Sequence, residues 1–242
     1  MSEAIDVLRG GAFDPSSRMD ELRQARPTLS AFDDRVVSFA TDLSRRLRRE
    51  NTVRKSPALS ALAFWIRPAT VERLREGWAA LTSLYPTIVR VPRGVVFHLP
   101  PTNVDTLFVY SWLLSALCGN ANVIRLSPRS IDNSTGLIDL VREALADHPT
   151  MAATTALVTY GHDHEVTQIL STADVRVIWG GDDAVASVRA VPSAPYTRDL
   201  AFPDRFSLSA LSARAVEDAS DAQVSELAHA LFNDAYWFDQ LG

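Results

Sequence analysis

The stretch that indicates the fold is Gly94-Val95-Val96-Phe97-His98-Leu99-Pro100-Pro101. Its β-branched and aromatic residues, ended by two prolines, predict a short buried strand. The apolar segment 104–117 that follows predicts a buried helix, which the Gly119-Asn120 pair ends. This alternation of strand and helix predicts a doubly wound, mainly parallel α/β sheet. Its other predicted strands are 122–126, 155–159, 175–179 and one or two within 199–209; its other predicted helices are 131–146, 163–170, 184–189 and 222–232.

The region before this alternation has a different pattern. Apolar residues recur at helical spacing after Ser30, which is predicted to cap the first helix, and this pattern continues to about residue 49. Two more helices are predicted at 58–65 and from about 70 to 80. The sequence therefore predicts a helical N-terminal region over 1–90 and a Rossmann-like domain over 91–242.

Composition excludes several classes of function. The 242 residues carry a net charge of −5, which argues against a general nucleic-acid binder. A single cysteine, Cys118, allows neither an intrachain disulfide nor a cysteine-based zinc site, so a reducing, cytoplasmic location is expected. The N-terminus lacks a signal-peptide pattern. The longest apolar stretch, 104–118, is too short to span a bilayer and contains Asp105.

The turns after the predicted strands are the candidate binding site, because ligands of open parallel sheets bind at the carboxyl ends of strands. These turns are 100–103, 127–130, 160–163 and 180–183. Two of them contain Gly and two begin helices, which suits a nucleotide, although Pro, Gly and Asp also simply end strands. Asp182 or Asp183 is predicted to cap the helix that follows. The GxGxxG and P-loop patterns are absent, which disfavours a conventional Rossmann dehydrogenase and a Walker-type ATPase.

The histidines and the cysteine have unexceptional interpretations. His98, near the end of a strand, is predicted to be a satisfied, partly buried histidine rather than a catalytic base. Cys118 is predicted to pack as a small hydrophobe on an apolar helix. A solvated loop explains His162 and His164 better than metal ligation does, so no metal site is expected.

Four motifs in order resemble the LuxC-type acyl-CoA reductases, a branch of the aldehyde dehydrogenase superfamily that includes the fatty acyl reductases of bacterial luminescence. The motifs are residues 93–104, 117–127, 177–185 and 202–207. The resemblance runs from about residue 30 to the end of the chain. It implies reduction of a fatty acyl-CoA or acyl-protein thioester to an aldehyde, through a cysteine thioester and a hydride from NADP(H) or NAD(H). It also implies an acyl-protein synthetase as a partner and a homo-oligomeric full-length parent.

The resemblance assigns roles to particular residues. Asn103 matches the asparagine whose amide stabilises the oxyanion, and it equally fits an Asx-type helix cap. Arg125 falls where relatives carry a lysine beside the adenosine ribose, and its fork would suit a 2′-phosphate, so NADPH is expected to be accepted. The remaining cofactor-binding residues that the resemblance implies are Pro100, Pro101, Thr102, Ser127, Gly161, Gly180 and Gly181.

Two departures from the superfamily pattern limit the implied activity. Residues 201–206 hold no glutamate general base, which is consistent with reduction rather than aldehyde oxidation, and Asp204 is not assigned that role. The segment 233–242 resembles the lead-in to the nucleophilic cysteine, so the catalytic domain is expected to be absent and the chain inactive alone. The alternatives are a nucleotide-binding pseudoenzyme or interaction module and, less favoured, a structural subunit whose catalytic half is encoded separately. The codons after Gly242 would discriminate them.

Overall fold

The computed structural model of the chain describes residues 4–25, 29–50, 56–101, 106–161, 164–203 and 208–235. Residues up to Pro203 form one compact unit, and the segment after it forms a smaller second unit. The strands of the first unit are β1 (Ile5–Asp6), β2 (Gly11–Ala12), β3 (Val95–Leu99), β4 (Ala121–Leu126), β5 (Thr155–Thr159), β6 (Val175–Trp179) and β7 (Arg198–Phe202). Its helices are α1 (Pro15–Ala25), α2 (Asp34–Arg49), α3 (Pro57–Trp65), α4 (Pro68–Leu84), α5 (Leu107–Leu117), α6 (Pro128–Ala146), α7 (Pro149–Ala153), α8 (His164–Leu170) and α9 (Asp182–Arg189). The second unit contains α10 (Ala213–Glu217) and α11 (Asp221–Ala235).

Within the described residues, the strands form one sheet in the order β2-β1-β5-β4-β3-β6-β7. The five strands from β5 to β7 are parallel, which confirms the predicted doubly wound, mainly parallel architecture. β1 is antiparallel to both β2 and β5. β1 and β2 lie in the region predicted to be helical. The sequence did not predict them, because two-residue strands carry no hydrophobic period. The predicted domain boundary near residue 90 stays a prediction.

Helices cover both faces of the sheet, since successive side chains of a strand point to opposite faces. Phe97 of β3 packs in one cluster with Leu22 of α1. Ile124 of β4 packs in another with Trp112 of α5 and with residues of α6. Phe97, Leu22, Ile124 and Trp112 are each at most 1% exposed. Burial on both faces explains why the central strands have almost continuous apolar sequences.

α2 adds a further layer on the side of α5 and α6, where Phe39 packs against Trp112 with ring centroids 5.3 Å apart. The predicted Ser30 cap is wrong, because the helix begins at Asp34 and Asp33 is its N-cap. The Asp33 carboxylate accepts a hydrogen bond from the Arg35 backbone N–H at 3.0 Å. Phe32 adopts a left-handed φ of 54°, and this turn separates Ser30 from the helix.

Candidate functional site

The strand order reverses between β3 and β6. From β3 the chain continues outward to β4 and β5, then returns to the other side of β3 to form β6 and β7. Leu99 pairs in register with Ile178, so both strands end at the same level. In open parallel sheets, a crevice for ligands lies outside the carboxyl ends of strands at this switch point.

The turn between β6 and α9 contains Gly180 and Gly181. Gly180 has a φ of +147°, and a Cβ placed there would lie 3.3 Å from the Ala184 Cβ. Its backbone N–H donates to the Phe202 carbonyl at 3.3 Å, which joins the turn to β7. The backbone conformation therefore favours a glycine here, and the space for a side chain is tight.

The N-terminus of α9 favours an anion through its helix dipole, but two carboxylates beside it repel an anion. The prediction that Asp182 or Asp183 caps α9 is wrong, because Gly181 is the N-cap and no side chain of the described residues caps the helix. The positive end of the helix dipole at this N-terminus favours an anionic ligand. Asp182 and Asp183 lie in that first turn and place negative charge beside it.

The turn after β3 holds further predicted site residues. Pro100 and Pro101 are half-buried directly after Leu99, at the switch point. Thr102 and Asn103 lie outside the described residues, so the oxyanion role of Asn103 stays a prediction.

Arg125 lies near the end of β4 and contacts the last residue before Gly161. Its Nη2 donates to the Tyr160 carbonyl at 3.1 Å, and its guanidinium carbon lies 5.2 Å from the Tyr160 ring centroid. Its Nε is buried and has no hydrogen-bond partner among the described residues. The structure thus brings Arg125 and Gly161 together, with part of the guanidinium already engaged.

Ser127 has a structural task that the prediction did not include. It is the N-cap of α6, and its Oγ accepts a hydrogen bond from the Ser130 backbone N–H at 3.1 Å. The Ser130 hydroxyl oxygen also lies within hydrogen-bond distance of Ser127 Oγ, at 2.8 Å. These contacts hold the start of α6 at the carboxyl edge of the sheet, next to Arg125.

A buried hydrogen-bond network that sequence reasoning missed joins β3, α5, β4 and β6. His98 Nδ1 lies 2.8 Å from Ser111 Oγ, and His98 Nε2 lies 3.0 Å from Asn122 Oδ1. The Trp179 indole N–H donates to Ser111 Oγ at 3.4 Å. Burial lowers the pKa of His98 to about 4, with the Asn122 hydrogen bond opposing it, so the ring is neutral. His98 is satisfied, as predicted, but it is fully buried rather than partly buried.

Cys118 lies at the opposite edge of the sheet from the switch point. It caps the C-terminus of α5, three residues before β4 begins. Burial raises the pKa of its thiol, and the negative end of the helix dipole also disfavours a thiolate there. Cys118 is therefore poorly suited to act as a nucleophile.

The predicted solvated loop with His162 and His164 can be placed only in part. His162 and the side chain of His164 lie outside the described residues. Elsewhere, across the described ranges, no group of three or more His, Cys, Asp or Glu side chains could hold a metal ion. No helix within the same ranges is long and apolar enough to cross a membrane.

A comparison with known protein families assigns the chain to one of them. The family model described as Acyl-CoA reductase (LuxC) matches residues 81–242. The chain belongs to the LuxC family. This LuxC-family chain is 32% identical over 126 residues to a long-chain acyl-protein thioester reductase of Aliivibrio fischeri, covering 50% of the chain and 26% of the relative.

Solved aldehyde dehydrogenases share the fold of this LuxC-family chain. A lactaldehyde dehydrogenase aligns with a TM-score of 0.56 at 16% identity, over 78% of this chain and 44% of its own. Glyceraldehyde-3-phosphate dehydrogenase GapN of Methanocaldococcus jannaschii, complexed with NADP, aligns with a TM-score of 0.56 at 13% identity, over 84% and 51%. The chain thus covers about a quarter of the thioester reductase and about half of each dehydrogenase.

Proposed function

We propose that this chain binds a nicotinamide dinucleotide for the reduction of an acyl thioester to an aldehyde. The observation that carries the proposal is the switch point between β3 and β6, with a glycine turn and an uncapped helix start beside it, in a chain of the LuxC family. The acyl donor is an acyl-CoA or an acyl-protein thioester. When bound, the cofactor supplies the hydride that reduces the thioester carbonyl.

The residues present fit such a cofactor. Gly180 and Gly181 carry no side chain that would keep a phosphate from the backbone, and the N-terminus of α9 suits the pyrophosphate. Arg125 retains a buried Nε without a partner among the described residues, and its guanidinium suits a phosphate on the adenosine ribose. Asp182 and Asp183 repel the pyrophosphate, so the affinity of the isolated chain is expected to be weak.

Calorimetric titration of the chain with NADPH and with NADH tests cofactor binding. We expect Gly180→Ala to weaken the binding of both, because the added methyl meets Ala184 and strains the turn. Gly77→Ala is the matched control, since a Cβ there meets nothing within 4 Å inside α4. Absence of heat from the folded wild-type chain at millimolar NADPH would overturn the proposal.

The preference for NADPH over NADH depends on Arg125 in this proposal. Arg125→Met should weaken NADPH binding about tenfold and NADH binding much less, because only NADPH offers a 2′-phosphate to the guanidinium. Arg73→Met, on the exposed surface of α4, is the control. Equal losses for the two cofactors would contradict a 2′-phosphate contact.

The chain alone is proposed to form no aldehyde, since its one cysteine, Cys118, lies at the wrong edge of the sheet with a raised pKa. In this proposal Cys118 does not take the acyl group. Incubation of the purified chain with acyl-CoA and NADPH, followed by aldehyde detection, tests this. Aldehyde above a heat-treated control, lost in Cys118→Ser, would show that Cys118 is the nucleophile.

A further inference from the structure

Ser111 connects the two strands that flank the switch point. It lies on α5, is 8% exposed, and its Oγ contacts both His98 of β3 and Trp179 of β6. The 3.4 Å contact with the indole is a long hydrogen bond, whereas the 2.8 Å contact with the imidazole is short. A single hydroxyl therefore joins the strand that leads to Pro100 with the strand that leads to Gly180.

The direction of every hydrogen bond in this network follows from its neighbours. Asn122 donates through Nδ2 to the Asn120 carbonyl at 2.8 Å, so the Oδ1 that faces His98 can only accept. His98 Nε2 must then carry the hydrogen, which leaves Nδ1 of the neutral ring as an acceptor for the Ser111 hydroxyl. The Trp179 indole N–H donates into the remaining lone pair of Ser111 Oγ. Each hydrogen bond in the network thus donates in the same direction, from Trp179 through Ser111, His98 and Asn122 to the Asn120 carbonyl.

Trp179 is held on its other side by an aromatic contact. Its ring stacks on that of Phe202, with centroids 4.0 Å apart and planes 12° from parallel. The next residue, Gly180, donates its N–H to the Phe202 carbonyl. Phe202 therefore contacts both the indole, through its ring, and the glycine turn, through its carbonyl oxygen.

We propose that Ser111 is a positioning residue that fixes the Trp179 indole and thereby sets the glycine turn for the dinucleotide. This inference rests on the proposed function, since it concerns how that same site is held. Ser111 acts through its hydroxyl and through Trp179, without touching the cofactor.

Ser111→Ala tests the inference in the full chain through two readouts. The indole ¹⁵N–¹H resonance of Trp179 should shift and exchange faster with solvent, because its acceptor is lost. The dissociation constant for NADPH, measured by calorimetry, should rise about fivefold. Ser44→Ala is the matched control, because the Ser44 hydroxyl also makes one buried hydrogen bond, to the Ala63 carbonyl on a different element. It should leave both readouts unchanged.

Trp179→Phe keeps an aromatic ring beside Phe202 and removes the donating indole N–H together with one of the two fused rings. If Ser111 acts through that N–H, the effect of Ser111→Ala on the dissociation constant should disappear in a Trp179→Phe background. Additive effects of the two changes, or an unchanged dissociation constant in Ser111→Ala, would overturn the inference alone. Failure of the wild-type chain to bind NADPH would overturn the proposed function and the inference with it. An unchanged Trp179 resonance in Ser111→Ala would overturn the hydrogen bond itself, whether or not cofactor binds.

Discussion

The central strand β3 and the strand β7 differ in how they are stabilised, although both have five residues and both are parallel to their neighbours. Four of the five residues of β3 are buried, whereas burial alternates along β7. β3 has partners on both edges, and β7 pairs only with β6 among the described residues. The comparison teaches that β3 depends on burial from both faces, while β7 depends on particular polar and aromatic contacts.

The largest expected effect is on the apolar packing of β3. Phe97 is fully buried where β3 packs against the helices of one face of the sheet. Phe97→Ala should therefore lower the free energy of unfolding by about 4 kcal/mol. Urea unfolding followed by circular dichroism measures the change. A loss below about 1 kcal/mol would mean that the centre of the sheet is not packed as described.

Acidification should next destabilise β3 through His98. Its pKa is about 4 in the folded chain and about 6.5 when unfolded, so the unfolded state binds more protons between these values. Stability should therefore fall as the pH drops from about 6.5 to about 4, by roughly 3 kcal/mol in total. Urea unfolding of wild type and His98→Asn across this range measures it. His98→Asn should lack this slope, and His229→Asn, in the second unit, should retain it.

The third effect concerns the polar attachment of β7. Arg176 of β6 has only 4% of its side chain exposed and forms two hydrogen bonds to the Asp199 carboxylate, at 2.7 and 2.9 Å. Asp199→Asn leaves the buried guanidinium without its counter-charge and should cost about 2 kcal/mol. Asp139→Asn removes a comparable but exposed pair with Arg142 and should cost less than about 0.5 kcal/mol. Thermal unfolding of both variants separates the two cases, and equal losses would contradict a special role of β7 polar contacts.

The smallest effect should come from Phe202, the aromatic residue of β7. It is 46% exposed and stacks on Trp179, so Phe202→Ala should cost about 1 kcal/mol, a fraction of the cost at Phe97. The same unfolding measurement on both phenylalanine variants gives the ratio directly. Comparable losses at the two positions would remove the distinction between the two strands.

The sequence predicted β3, β4, β5 and β6 to within about a residue, because each carries β-branched residues and is followed by a turn. It predicted β7 only as one or two short strands within 199–209, since this strand has no β-branched residue. It did not predict β1 and β2, which are too short for any period. It placed the cap of α2 on Ser30, since Ser is a common N-cap, whereas the left-handed turn at Phe32 moves the cap to Asp33. In the site, Gly180 and Gly181 were found from their place after a strand. The contacts of Arg125 with Tyr160 could not be found that way, because they join two strands.

The amino-acid order by itself determined the main strands and helices of the parallel sheet, their alternation and the turns in which a nucleotide site was to be sought. These are local properties, because strand, turn and cap preferences depend on neighbouring residues. Only the tertiary structure decided that His98, Ser111, Asn122 and Trp179 form one network, and that Cys118 lies at the far edge of the sheet. Residues so distant in sequence meet only when the strand order and register are set, and these follow from packing the whole sheet between its helices.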